Sequence, residues 1–260
     1  MNGTLAQLVA LANYGNAGLT DRGSVDIDEF AAENSVFKYV KSVTFDGVEG
    51  VRPWFEAMSS EGVRQIQLAL DGHELGREDE VLAPHVAAAF SGGSHEYLVA
   101  SGDGKETAWF ATWDWSESSQ KDGRWEVSYS SVPAVNAPRI ISVELAAKRL
   151  AQVLRRARKF ASANGLDPWP AVFEEALRQG NTPGLQPKYH PDLFPAGVFP
   201  AAAERLAAMA QMADVFGGMG SWNDVWLQNA FTKTRYKRLS ARLFSCVRTG
   251  FAASVSSLNR

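Results

Sequence analysis

The side chains of this chain that could do chemistry are four histidines, one cysteine and the polar residues of a glycine-rich corner. His73 and His95 each precede a glutamate, and His85 and His190 complete the set. A zinc site needs ligands at a fixed spacing, such as two histidines four apart on one helix face, and no pair here has it. Turn or surface histidines are therefore expected, with no metal and no cofactor. Cys246 has no second cysteine to pair with, and it falls on the packed or flanking side of a helical pattern, where a thiol serves as a small apolar group. Gly-x-Ser-x-Gly is absent, because Gly218-Met-Gly-Ser221-Trp222 displaces the serine by one position. Acidic clusters such as Asp103 with Glu106, or Glu78 to Glu80, lie in turns and at a helix start, where turn geometry and the helix dipole account for them.

The run from Phe216 to Asp224 precedes a helical pattern, so its backbone amides could cradle an anion. It has no Gly-Lys-Ser/Thr, no strand before it and no Gly-x-Gly-x-x-Gly spacing. Cap chemistry gives a simpler account. Gly217 and Gly218 would end one helix in the left-handed conformation, and Ser221 with Asp224 three residues later would cap the next. Gly218, Gly220, Ser221, Trp222, Asn223 and Asp224 are thus expected to form a structural corner, or otherwise one wall of a pocket.

The elements that position these groups follow from hydrophobic period. A short helix over Leu5 to Asn13 and a helical turn over Asp28 to Glu33 precede a strand running from Val36 to the Asp46-Gly47 turn. Trp54, Phe55 and Met58 mark a short helix with Pro53 at its start, and residues 63–70 alternate as a half-buried strand. Glu78 to Phe90 reads as a helix interrupted at Pro84. Glu96 to Ala100, Glu106 to Trp115 and Trp125 to Val132 then form an antiparallel meander. Its middle strand places Trp109, Trp113 and Trp115 on one face and Asp114 on the other. Such a face is either covered or binds something. After Pro138 the period becomes 3.6, with a helix capped by Ser142, a second from Asp167-Pro168 to Gly180 and a third striped from Ala202 to Phe216. A fourth is expected to start at Ser221, and a long last one carries Tyr236, Leu239, Leu243, Val247 and Phe251. The Pro-rich stretch from Asn181 to Pro200 is too apolar for a free linker and should lie across the helices. The fold class expected is α+β: residues 1–137 an α+β domain with an antiparallel sheet, residues 138–260 a helical bundle.

The chain of 260 residues is 45% hydrophobic and 21% charged, which fits a folded globular protein and excludes disorder for most of it. No apolar segment approaches the ~20 residues of a membrane span, and the first apolar stretch lacks the preceding positive charge of a secretory signal. With a single cysteine, these features make a reducing cytoplasm the expected location. The net charge of −3 conceals a partition. Residues 1–137 hold 21 Asp and Glu against nine Lys and Arg, while residues 138–260 hold eight against 17. The basic residues gather as Lys148, Arg149, Arg155, Arg156, Arg158 and Lys159, and as Lys233, Arg235, Lys237, Arg238 and Arg242. Solvated faces that attract each other account for this simply, and an acidic half that engages a basic protein partner is the sharper reading. Direct nucleic-acid binding by the basic helices is the third reading and the least expected, because the neighbouring acidic half would weaken counterion-release binding.

Two segments, Phe160 to Leu177 and Val215-Phe-Gly-Gly-Met-Gly-Ser-Trp-Asn-Asp224, resemble the helical core of small bacterial domains of unknown function, some of which are found as immunity proteins beside polymorphic or contact-delivered toxins. The resemblance spans residues 140 to 245 and implies a cytosolic bacterial protein that neutralises a cognate toxin by binding it. No catalytic residue is carried over. The function expected is a non-enzymatic binding protein of immunity or antitoxin type, with Trp109, Trp113 and Trp115 as anchors and Asp114 and Glu117 as steering charges. The alternative is a small-molecule-binding protein or hydrolase with its site between the Trp-rich sheet and the Gly217 to Asp224 corner.

Overall fold

The stretch from Gly3 to Leu19 is apolar on every side, so as a helix it has to be covered all round. The computed structural model, which describes residues 1–20, 25–70, 83–88, 96–116, 123–134, 141–185, 187 and 189–259, places it in this way. Helix α1 (Gly3–Leu19) is capped by Asn2, whose side chain accepts from the Leu5 amide at 2.8 Å, and residues 5–13 are all buried. The helix runs past the expected Leu5 to Asn13 at both ends. Gly15 and Asn16 look like breakers, but a Cβ at Gly15 would stand 2.6 Å from Ile66 Cδ1 and 2.7 Å from Phe55 Cε1, so close packing requires glycine there.

Helix α2 (Ile27–Glu33), capped by Asp26, leads into a 3₁₀ turn at Ser35–Phe37. That turn replaces the expected start of a strand at Val36, because the Asn34 side chain accepts from the Val36 amide and bends the chain. Strands β1 (Val40–Phe45) and β2 (Val48–Glu49), helix α3 (Val51–Ser60), strand β3 (Gln65–Ala69) and helix α4 (Pro84–Ala87) follow. The rest of the helix expected over Glu78 to Phe90, with its Gly92-Gly93 stop, lies outside the described residues. Strands β4 (Tyr97–Gly102), β5 (Lys105–Asp114) and β6 (Trp125–Pro133) complete a six-stranded sheet of order β2-β1-β6-β5-β4-β3. The class is α+β, but the sheet is mixed: β1 runs parallel to β6, and the other pairs are antiparallel.

Helices α5 (Val143–Ala163), α6 (Trp169–Asn181), α7 (Ala201–Ala213) and α8 (Ala230–Val255) form the second half, with α5 against α6 and α8, and α7 against α6 and α8. Ser142 caps α5 as its sequence predicts, accepting from the Leu145 amide. Ser221 caps only one 3₁₀ turn, Trp222–Asp224, and the chain then extends until Asn229 caps α8 by accepting from the Phe231 and Thr232 amides. Gly220, with φ +81°, is the left-handed residue of the corner, whereas Gly217 and Gly218 have no positive φ. Most buried apolar residues, from Leu5 to Val255, form a cluster that crosses from the strand-bearing segment into the helical one, and Ala69, Tyr97, Val99 and Ala108 form a smaller second cluster.

Three polar devices fix α1 against the sheet and the strand-bearing segment against the helical one. Strand β3 is at the sheet edge, where unpaired backbone groups need cover. Asn16 supplies it: its Oδ1 accepts from the Ile66 amide and its Nδ2 donates to the Ile66 carbonyl, both at 2.7 Å. Gln7, on the same helix, accepts from the Tyr129 hydroxyl of β6 at 2.6 Å. On the far side, Arg248 of α8 is 3% exposed and is ion-paired with Glu96, just before β4, and with Asp214, just after α7, at 2.9 Å for the latter. Replacing Asn16 by Ala strands a buried N–H and C=O of Ile66, each costing about 1–3 kcal/mol. A urea titration should therefore show Asn16→Ala less stable by about 2–5 kcal/mol, and a loss below about 1 kcal/mol would contradict this role.

Candidate functional site

The tryptophans read from the sequence as a partner face are mostly covered. Trp109 is 5% exposed and lies edge-on to Phe45 and Trp54, with ring centroids 6.0 and 5.6 Å apart. Trp113 is half-buried, with its ring 3.2 Å from where a Cβ on Gly3 would stand. Trp115 keeps 39% exposure beside Trp125, and Asp114 is exposed. Glu117 lies outside the described residues. The covering groups come from α1 and α3, elements whose length and closeness the sequence pattern understated.

The glycine-rich corner is a joint. Trp222 is fully buried against Trp169, Phe173 and Tyr236, and its indole N–H donates to Ser240 Oγ at 2.8 Å. The Tyr236 hydroxyl in turn donates to the Trp222 carbonyl, and burial holds that phenol up at about 12. Asn223 donates to the His85 carbonyl at 2.9 Å, tying the corner to α4. Asp224 accepts from the Gly220 amide at 2.6 Å, Ser221 Oγ accepts from the Asn223 amide, and a Cβ at Gly218 would meet nothing within 4 Å. The aromatic contacts of Trp222 and those of the sheet tryptophans belong to separate groups, so the two walls of the alternative pocket are not brought into ring contact.

A different feature gathers polar groups around a cavity. The Pro-rich stretch does lie across the structure, and its segment 190–198 faces α2 over an open groove of about 700 Å³. The walls include Tyr14, Asp26, Glu29, Phe30, Glu33 and Asp192, with Pro195 to Val198 opposite. Among the described residues lining it, four are carboxylates and none is Lys, Arg or His. Asp26 is engaged as the α2 cap and lies 3.9 Å from Arg52, which pairs more closely with Asp28. Glu29 and Glu33 are exposed, one helical turn apart, and form no ion pair among the described residues. Such a like-charge i,i+4 pair repels itself. The Tyr14 phenol is stacked on Phe30 at 3.9 Å; burial raises its pKa, a hydrogen bond with Asn34 opposes the rise, and Asp192 and Glu29 add smaller upward contributions.

The loop wall is pinned to the core. Asn13 of α1 donates to the Leu193 carbonyl at 2.9 Å, and Tyr14 and Asn34 donate to the Asp192 carbonyl at 3.3 and 2.6 Å. Gln211 of α7 accepts from the Tyr189 and His190 amides and donates to the His190 carbonyl at 3.1 Å. Ser35, His190 and Asp192 converge beneath the groove, but not as a nucleophilic triad. There the carboxylate orients the imidazole and the imidazole takes the hydroxyl proton. Here both Asp192 oxygens are spent on Ser35, accepting from its hydroxyl at 2.5 Å and its amide at 2.6 Å. His190 Nδ1 meets the same hydroxyl at 2.9 Å, so with the hydroxyl proton given to Asp192 the imidazole is the donor. The constellation is a clasp for the loop. None of its members is marked by a local motif; the one sequence signal was the apolar character of the loop itself.

Among the described residues no group of three or more His, Cys, Asp or Glu side chains is arranged to hold a metal, and no helix is long and apolar enough to cross a membrane. His73 and His95 lie outside the described residues. Burial lowers the pKa of His85 and, against the opposing pull of Asp192, that of His190, both from an ordinary 6.5. The unfolded chain therefore takes up these protons first as pH falls, and stability declines below about pH 6.5. The urea midpoint should drop between pH 7 and about 5.5, and by less in a His85→Asn/His190→Asn variant; an equal drop in both proteins would contradict the assignment. Comparison of the chain with protein-family models, with curated proteins and with solved structures finds no match in any of the three.

Proposed function

We propose that this chain is a non-enzymatic binding protein whose acidic groove receives a basic segment of a partner protein. The observation that carries this reading is the exposed Glu29–Glu33 pair, which lines a cavity with Asp26 and Asp192 and has no cationic partner among the described residues. Two carboxylates held a turn apart repel, and a lysine or arginine side chain between them would convert that repulsion into attraction. Tyr14 and Phe30 add an aromatic floor against which the stem of such a side chain can pack.

The narrower form of the proposal takes the partner to be a toxin neutralised by direct contact in a bacterial cytoplasm. It rests on the sequence resemblance and on the acidic balance of residues 1–137, since a toxin that acts on nucleic acid presents a positive cleft. Of the residues expected to form the partner face, Trp115 and Asp114 are exposed.

The test uses a fluorescent Lys/Arg-rich peptide at low salt. Binding should weaken by about tenfold in a Glu29→Gln/Glu33→Gln variant, and further as salt shortens the reach of the charges. Equal affinity of parent and variant, or equal binding of an acidic peptide, would overturn the groove assignment. Co-expression with the product of the adjacent gene tests the narrower form separately, since co-purification and rescue of growth are expected from a toxin–immunity pair.

A further inference from the structure

Among the described residues, the aromatics left most open to water lie at the start of α8, far along the chain from the acidic groove. Trp226 is 79% exposed and Phe231 is 71% exposed, although each offers enough apolar surface to be buried elsewhere in this protein. Each is paired with a cation: the Lys233 ammonium stands 4.7 Å from the Trp226 ring centre, and the Arg235 guanidinium 5.8 Å from that of Phe231. From there Phe231, Arg235, Arg238 and Arg242 fall at i, i+4, i+7 and i+11, a single stripe of about 16 Å along the exposed side of the helix.

The stripe is chemically one-sided. Helix α8 contains no Asp or Glu in its 26 residues, and Arg235, Arg238 and Arg242 form no ion pair among the described residues. The positive surface continues onto α5, which packs beside α8 and exposes Lys148, Arg149, Arg155 and Arg156. Burial pushes the Cys246 thiol up, and the positive charges of Arg242 on α8 and Arg149 on α5 both oppose that rise. Charges arranged in this way repel one another and lower stability unless an anion joins them.

We propose that this face binds single-stranded nucleic acid, with bases stacking on Trp226 and Phe231 and phosphates following Arg235, Arg238 and Arg242. The stripe is a line rather than a ring around an apolar tip, and it suits an extended polyanion better than a flat membrane surface. Guanidinium groups pair with phosphate oxygens in bidentate fashion, and aromatic faces accept any base. The acidic balance of the first 137 residues, which argues against nucleic acid for the chain as a whole, does not enter this helix. The inference is independent of the groove assignment.

Fluorescence anisotropy with labelled oligo(U) and oligo(dT) tests it on the full chain, and comparing the two shows whether RNA or DNA is preferred. Three phosphate contacts predict an affinity loss of about 20-fold between 50 and 200 mM salt. An Arg235→Gln/Arg238→Gln/Arg242→Gln variant should lose most of that dependence, and Trp226→Ala/Phe231→Ala should weaken binding by about tenfold or more. These residues are exposed, so circular dichroism of the variants should match the parent. Binding a duplex as tightly as a single strand with no effect of the aromatic substitutions, binding to phosphatidylserine vesicles without binding to oligonucleotides, or binding to neither at low salt would each overturn the proposal.

Discussion

A helix buried on every side has no solvent to satisfy its polar side chains, and the arrangement of this protein follows from how α1 meets that constraint. Its apolar residues contribute to the core in all directions, and four of its five polar ones each reach a different neighbour: Gln7 to Tyr129, Asn13 to Leu193, Tyr14 to Asp192 and Asn16 to Ile66. Two of these contacts fix the sheet, one at a central strand and one at its edge. The other two fix the Pro-rich loop, which beyond Asn181 has no helix or strand among its described residues and so depends on such outside partners for its position. The acidic groove is the space left between that loop and α2.

The Arg248 cluster is the corresponding device on the other side of the core. Removing a guanidinium and its carboxylates from water costs several kcal/mol per ion, offset only when the charges meet one another. Arg248 meets Glu96 and Asp214 and lies 4.3 Å over the Phe244 ring, while the Met1 amino group stands 3.6 Å from Asp214. Replacing such a cluster by apolar residues of the same shape is often neutral or stabilising, whereas removing one member leaves an unpaired buried charge that costs about 3–5 kcal/mol. Here the cluster fixes the entry to β4 and the exit of α7 against a single turn of α8. The basic stripe on the outer face of α8 is presented by the same helix, so a rigid inner face supports an outer face free to bind.

What could be read in the sequence divides along the distance between interacting residues. The Ser142 cap, the stripes of α5 and α6 and the strand turns depend on neighbours a few residues away, and pattern alone reveals them; the apolar character of the Pro-rich loop shows that it must be covered, but not which residues hold it. The full extent of α1 did not show, because Gly15 and Asn16 carry turn chemistry whose purpose lies at Ile66. The corner beginning at Ser221 was seen, but its helix was placed too early, since one serine with one aspartate fits a single 3₁₀ turn as well as a longer helix. The Ser35, His190 and Asp192 clasp joins residues 155 positions apart, and Arg248 and Glu96 are 152 apart, separations at which a single sequence carries no pairing signal. The charge partition was legible from composition, whereas its sorting into a groove on one side and a helical stripe on another required the fold.

The near-neutral total charge of the chain thus resolves into two surfaces of opposite sign. One is an acidic groove walled by a pinned loop; the other is a basic helical stripe fronted by two exposed rings. The central claim is that the groove between α2 and the loop is where a basic partner enters. Amide chemical-shift mapping of the isotope-labelled protein with a Lys/Arg-rich peptide tests this directly. The account predicts that shifts concentrate at residues 25–34 and 192–198, with Glu29 and Glu33 at the centre. Shifts confined to the Trp115 end of β5, or spread evenly over the exposed carboxylates, would contradict it.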